Sequence, residues 1–198
     1  EGWNLKDIEN YLAQKGRSIE IAPNLEGYLL PDTYYIRNNA SNEEIVAMMR
    51  ANFEKKFNTD LRQENIRQGK TIAQIVTMAS LLEKEVRTLE DKKIVAGILW
   101  KRLSIGMALQ VDAPFQYIIG KNTFQLTTKD LKFDSAYNTY LYRGLPPGAI
   151  NNPGLDSLTA AVNPIKTEYF YYLSDVRGNM HYAKTFAEHG VNKEKYLK

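Results

Sequence analysis

The stretch TIAQIVTMASLLEKEV, residues 71–86, limits what this chain can fold into more than any other segment. It is long, free of Gly and Pro, and its apolar residues recur at helical spacing. Thr71 followed by Gln74 is a capping-box pattern at its start. With a helix advancing about 100° per residue, Ile72, Ile75, Val76, Leu82 and Val86 fall within about 60° of a line through Ala79. Such a stripe has to be covered by the rest of the chain. One acid interrupts it. Glu83 falls about 40° from the centre, whereas Glu85 falls about 120° away, at the edge or outside. A carboxyl group turned toward a core loses hydration, so its pKa should rise. An acid that keeps its proton near neutral pH is what general-acid catalysis needs. A Glu in that stripe can equally be the partner of a buried Lys or Arg, or reach water at the helix end, and the helix by itself leaves these readings open.

The remaining pattern is helix-rich. Leu5, Ile8 and Leu12 mark a helix over 4–14, with Asn4 as cap and Asp7 in the first turn. SIEIA (18–22) reads as a short strand, and LEGYLLPDTYYI (25–36), broken by Gly27 and Pro31, as strand and turn. The capping box Ser41 to Glu44 opens a helix to about Phe57, and a shorter one covers 60–68. Further helices are expected over 90–105 and 156–163, with a capped turn at LTTKDL (126–131). EYFYYLSD (168–175) and MHYAKTF flank Arg177-Gly178-Asn179 and read as a hairpin. The expected class is α+β: a helix-rich domain with a small antiparallel sheet.

The 198 residues carry a net charge of +3, with Lys and Arg spread along the chain. A nucleic-acid footprint is denser, so no nucleic-acid partner is expected. The chain has no cysteine, which excludes disulfides, a thiolate nucleophile and Cys metal sites. Its two histidines lie too far apart for a metal site, and no Gly-rich phosphate loop is present, so neither metal nor cofactor is expected. No apolar run approaches the ~18 residues that span a bilayer.

Two further stretches offer chemistry. YNTYLYRGLPPGAINNPG (137–154) is a long loop rich in Gly, Pro, Asn and Tyr. Its amides and aromatic faces suit a sugar polymer, whose rings show hydroxyl edges and apolar faces; tyrosines packed inward around a rigid loop is the equal alternative. In LQVDAPFQY (109–117), Gln110 and Asp112 stand among apolar residues and either line a cleft or, for Asp112, cap the following turn.

Taken together, LEGYLLPDTYYI, ASLLEKEV, LQVDAPFQYIIG and YNTYLYRGLPPGAINNPGLDSLTAAVNP resemble the YceG-like family of endolytic murein transglycosylases, in the family's order, with YFYYLSDVRGNMHYAKTFAEH similar to its closing hairpin. Residues 1–24 resemble the tail of the LysM-like module that precedes the catalytic domain, which would then cover 25–198. The resemblance implies a membrane-anchored, extracytoplasmic enzyme whose anchor lies outside this chain. It would cut the MurNAc-β-1,4-GlcNAc bond inside glycan strands and leave a 1,6-anhydro end. Peptidoglycan strands would be its substrate and peptidoglycan synthases its partners. By position the resemblance puts the catalytic glutamate at Glu83, the residue chosen by periodicity, as single general acid and base. It puts Gln110, Asp112, Tyr137, Asn138, Thr139, Tyr140 and Asn152 in the cleft. On this reading Glu83→Gln should abolish cleavage and leave the fold intact or slightly stabilised. The alternatives are a muramidase that uses water, with Asp112 or Glu85 as second carboxylate, and a non-catalytic glycan-binding module of the cell wall.

Overall fold

In the computed structural model, which describes residues 1–197, the segment with the strongest apolar signal is the middle of the molecule. Helix α4 (Ile72–Glu85) is the fourth of eight α-helices, after α1 (Leu5–Gln14), α2 (Asn42–Lys56) and α3 (Thr59–Arg67). After it come α5 (Leu89–Ser104), α6 (Ala113–Ile119), α7 (Leu155–Val162), strands β1 (Tyr171–Ser174) and β2 (Met180–Ala183), and α8 (Phe186–Tyr196). The Thr71–Gln74 and Ser41–Glu44 capping boxes both form, as does the Asn4–Asp7 cap of α1. These side chains take up N–H groups that the first helical turn cannot satisfy itself.

Every residue of α4 from Ile75 to Leu82 is buried. Helix α7 packs across both α4 and α5, and Trp100 of α5 donates its indole N–H to the carbonyl of Ala161. The main core gathers Phe53 and Phe57, the apolar residues of α4 from Ile75 to Leu82, Val95, Leu99, Leu109 and Leu158. A second, smaller cluster joins Leu5, Ile8 and Leu12 of α1 to Ile21, Leu29 and Ile45. The first 24 residues therefore share a packed cluster with the chain that follows.

The sheet has two antiparallel strands with Tyr171 opposite Ala183 and Leu173 opposite His181. The Asp175 carboxylate closes the turn by accepting from the N–H groups of Arg177 and Asn179. The hairpin docks through tyrosines: Tyr182 donates to Asp91 of α5 at 2.6 Å and Tyr172 to Glu85 of α4 at 3.0 Å.

Two expected strands are absent among the described residues. SIEIA has no ladder partner; Ile21 turns into the small core and its N–H donates to the Glu9 carboxylate at 2.7 Å. LEGYLLPDTYYI runs from a short 3₁₀ turn (Pro23–Leu25) into irregular chain whose N–H groups bond a side chain, as described below. Helix α8 was not legible in the sequence, because no residue in it is buried. No helix among the described residues is long and apolar enough to cross a membrane.

Candidate active site

The C-terminal end of α4 carries two acids with opposite surroundings. On the side facing α5 and α7, Glu83 is only 8% exposed and paired with Lys92, itself 6% exposed, at 3.3 Å. Its Oε2 also accepts from the Ser157 hydroxyl at 2.5 Å and the Gly154 N–H at 3.1 Å. The apolar setting expected for Glu83 is thus replaced by a cation, a hydroxyl and a backbone donor. The carboxylate ties the end of α4 to the first turns of α5 and α7.

Glu85 lies on the opposite side of α4. One oxygen accepts from the Ala113 N–H at the start of α6 (3.2 Å), and the other from the Tyr172 hydroxyl (3.0 Å). No cation among the described residues is paired with it. Burial, then the negative charge of Asp112, push its pKa up to about 7. The property sought at Glu83, a carboxyl group that holds its proton near neutral pH, is present at Glu85. The helical wheel misses this because it assumes one buried face. A helix packed on several sides has more than one covered face, and a residue about 120° from the apolar centre can still meet a neighbour, as Glu85 meets α6 and the hairpin.

Asp112 sits at the N-cap position of α6 without bonding its N–H groups. Its carboxylate instead accepts from the Tyr140 hydroxyl at 2.6 Å. Tyr140, Tyr172 and Asp112 thus form a polar shell around Glu85, and burial together with Asp112 holds the Tyr140 phenol far above its ordinary range. Arg102 of α5 fixes the frame of this shell, donating to the carbonyls of Leu109 and Phe170 at 2.5 and 2.7 Å.

Beside the C-terminal end of α4 a polar cleft of about 220 Å³ opens, with Gly2, Lys84, Ala113, Tyr117, Ile150 and Asn151 among its walls. Gly2 lies near the Glu83 and Lys84 side chains, and Ala113 carries the N–H that Glu85 accepts, so each acid adjoins a wall residue without lining the cleft itself. The Tyr117 ring meets that of Tyr137 at 5.2 Å, tilted by 45°, which brings this expected aromatic beside the cleft wall. Gln110 is exposed just before α6 and holds the left-handed backbone region, at φ 49°, without being glycine. Such conformations persist where surrounding structure enforces them; here the Gln110 N–H is held by the carbonyl of Thr139 at 3.1 Å.

Asn138, Thr139 and Asn152 are buried, and their polar atoms are used within the protein. The Asn138 amide donates to the carbonyls of Leu131 and Phe133. Thr139 exchanges hydrogen bonds with both backbone groups of Val111. Asn152 Oδ1 accepts from Gly27 and Leu29, while Nδ2 donates to the Trp3 carbonyl and the Glu26 carboxylate. These three shape the loops that carry the cleft and leave no side-chain group free for a sugar.

Three contributors escaped the sequence reading. Lys92 and Ser157 gave no signal, being one Lys and one Ser on ordinary helices. Glu26 could have been found, since a carboxylate beside a glycine in an apolar stretch is unusual. Its oxygens accept from Leu5 and Asn152, and burial raises its pKa to about 7.

The model of the YceG-like family matches residues 1–195. The endolytic murein transglycosylase of Bacillus subtilis is 37% identical over 177 residues, which cover 87% of this chain and 48% of that one. That of Streptococcus pneumoniae is 33% identical over 177 residues, 85% of this chain and 31% of the relative. A crystal structure of a YceG-like protein from Listeria monocytogenes superposes with a TM-score of 0.78 at 37% identity, covering 84% of this chain and 55% of that one. The chain spans about half the length of the Bacillus subtilis relative and less of the streptococcal one. With most of its length matched by the family model and its fold shared with a solved member, this chain belongs to the YceG-like family.

Proposed function

We propose that this chain is the catalytic part of an endolytic peptidoglycan lytic transglycosylase, with Glu85 as its single general acid and base. The observation that carries the proposal is the Glu85 carboxyl group: paired with no cation among the described residues, its pKa raised to about 7 by burial and Asp112, and bonded to Ala113, a wall residue of the cleft. The name borne by the Bacillus subtilis and Streptococcus pneumoniae relatives supports the reaction class.

In the first step Glu85 gives its proton to the oxygen of the MurNAc-β-1,4-GlcNAc bond as that bond breaks and positive charge builds on the muramoyl C1. In the second, the Glu85 carboxylate takes the proton of the same sugar's 6-hydroxyl, whose oxygen closes on C1 as a 1,6-anhydro ring. The proton count balances and no water is consumed. One carboxyl acting in both directions needs no flanking nucleophile, unlike most glycosidases. Asp112 raises the proton affinity of Glu85 by its charge, and Tyr172 and the Ala113 N–H fix which oxygen faces which partner. Glu83 becomes a positioning residue: it pins the helix end that carries Glu85 to α5 and α7. Gln110 and Tyr137 are proposed to line the strand's path. The substrate puts the reaction outside the cytoplasm, with an anchor and peptidoglycan synthase partners beyond this chain.

The closeness of Asp112 to Glu85 favours one second reading, a muramidase in which two carboxyls act on a water. Digestion of purified glycan strands, with products weighed, tests both. Ring closure leaves products with no added mass; hydrolysis adds one water per cut. Glu85→Gln should lose cleavage by about 10² to 10⁴, the usual span for a general acid.

A further inference from the structure

We propose that Asn151 is a specificity-determining residue that reads the 2-acetamido group of the bound glycan, its side-chain oxygen accepting the amide N–H. The inference rests on the reading of the cleft as a glycan site and adds what that site selects for.

Among the described residues, three buried side-chain polar atoms have no hydrogen-bond partner: Asn65 Oδ1, Asn151 Oδ1 and His189 Nδ1. Of their three residues, Asn151 alone lines the cleft. A buried acceptor left bare is costly, and native proteins keep few of them, so each calls for a partner. The orientation of this amide is fixed from the other end. Asn151 Nδ2 donates to the Ser80 carbonyl at 2.8 Å, and the neighbouring Ile150 N–H donates to the Ser80 hydroxyl at 3.1 Å. Both bonds hold the loop onto α4 one turn before the acids, and they leave Oδ1 as the unused group. The missing partner is therefore a donor.

The walls beside it narrow the class of donor. In a lining that also holds Asn4, Asp7, Lys84 and Gln116, the apolar members next to it are Ile150 and Ala113, and the Tyr117 ring is partly exposed. A hydroxyl would meet the acceptor but leave these surfaces without a match. An acetamido group presents an N–H with a methyl group on the same planar unit, which satisfies the oxygen and the apolar wall together. Every sugar of an unmodified peptidoglycan strand carries that group, so a site next to Glu85 that recognises it distinguishes acetylated from de-N-acetylated strands.

A site built around a polar contact rejects a ligand lacking it, because its own group is left unpaired. The test compares kcat and KM of the wild-type chain and of Asn151→Ala on fully acetylated and on de-N-acetylated glycan strands. The wild type should lose about 10- to 100-fold in kcat/KM on de-N-acetylated strands, mostly through KM. Asn151→Ala should treat the two strands within about threefold of each other. Because the variant also loses its bond to Ser80, a second measurement uses the unaltered protein. The Asn151 side-chain amide resonance in a ¹H–¹⁵N spectrum is followed while N-acetylglucosamine oligomers or glucosamine oligomers are added. It should move with the first and stay with the second. A shift with the acetylated oligomer in a chain that cuts neither strand would uphold the subsite and sink the catalytic reading. Equal rates on both strands by the wild type, or a resonance indifferent to acetylation, would overturn the assignment of Asn151.

Discussion

Glu83 and Glu85 stand two positions apart on one helix, and their neighbours give them different chemistry. Glu83 is a pin, held by Lys92, Ser157 and the Gly154 N–H. Removing one member of a buried ion pair leaves the other uncompensated and typically costs about 3–5 kcal/mol. Glu83→Gln is therefore expected to destabilise the fold by roughly 3 kcal/mol, measured by urea unfolding at pH 7. This reverses the expectation from the sequence that the change would be neutral or stabilising. The variant should still cut glycan strands below its melting temperature, with the same loss of rate as pH rises through about 7. Glu85 has the opposite linkage. Its carboxyl is protonated in both folded and unfolded chains below about 4.5, so burial costs nothing there. As pH rises, ionisation is held back only in the folded state, and the penalty is complete above about 7. A shift of this size corresponds to an upper figure on the order of 3 kcal/mol. Glu85→Gln should thus raise Tm over wild type at pH 8 and lose that advantage at pH 4.5. A Tm difference independent of pH would show that the carboxyl is not held protonated by the fold.

At the scale of elements, α4 explains both what could be read in advance and what could not. Its existence, its capping box and its central place follow from composition and periodicity, because a helix with eight consecutive buried residues has only one place to go. The direction of its acids does not follow. Periodicity ranks positions by distance from one apolar line, but α5, α6, α7 and the hairpin surround this helix on several sides. Partners such as Lys92, Ser157 and Tyr172 come from segments 9 to 87 positions away, and spacing along α4 carries no information about them. The LEGYLL segment fails for a related reason. Its N–H groups bond the side chain of Asn152, more than 120 residues on, in place of a strand. That bond explains the glycine. Gly27 has φ +88°, and a Cβ there would lie 2.5 Å from Val76 Cγ1 and 2.6 Å from Ala149 Cβ. Gly27→Ala combines left-handed strain with overpacking and should cost about 3 kcal/mol. Asn152→Ala strands two buried N–H donors and should cost a similar amount, about 2–4 kcal/mol, both read from denaturant midpoints. A midpoint unchanged by either substitution would contradict the packing of this segment on α4.

At the scale of the whole molecule, the helix-rich class with one small antiparallel hairpin follows from the sequence, as does family membership, since the matching blocks run in order along most of the chain. The fold brings the end of α4, the α6 start, the 137–154 loop and the N-terminal segment to one cleft, with Glu85 bonded to one wall residue and Glu83 close to another. Everything proposed about activity depends on which acid moves the proton. The most direct measurement is digestion of purified glycan strands by wild type, Glu83→Gln and Glu85→Gln at one pH and a temperature where all three are folded, with products weighed. The account predicts anhydro-ended products from wild type and Glu83→Gln and none from Glu85→Gln. Cleavage by Glu85→Gln at a rate near wild type, or its loss only in a folded Glu83→Gln, would contradict it.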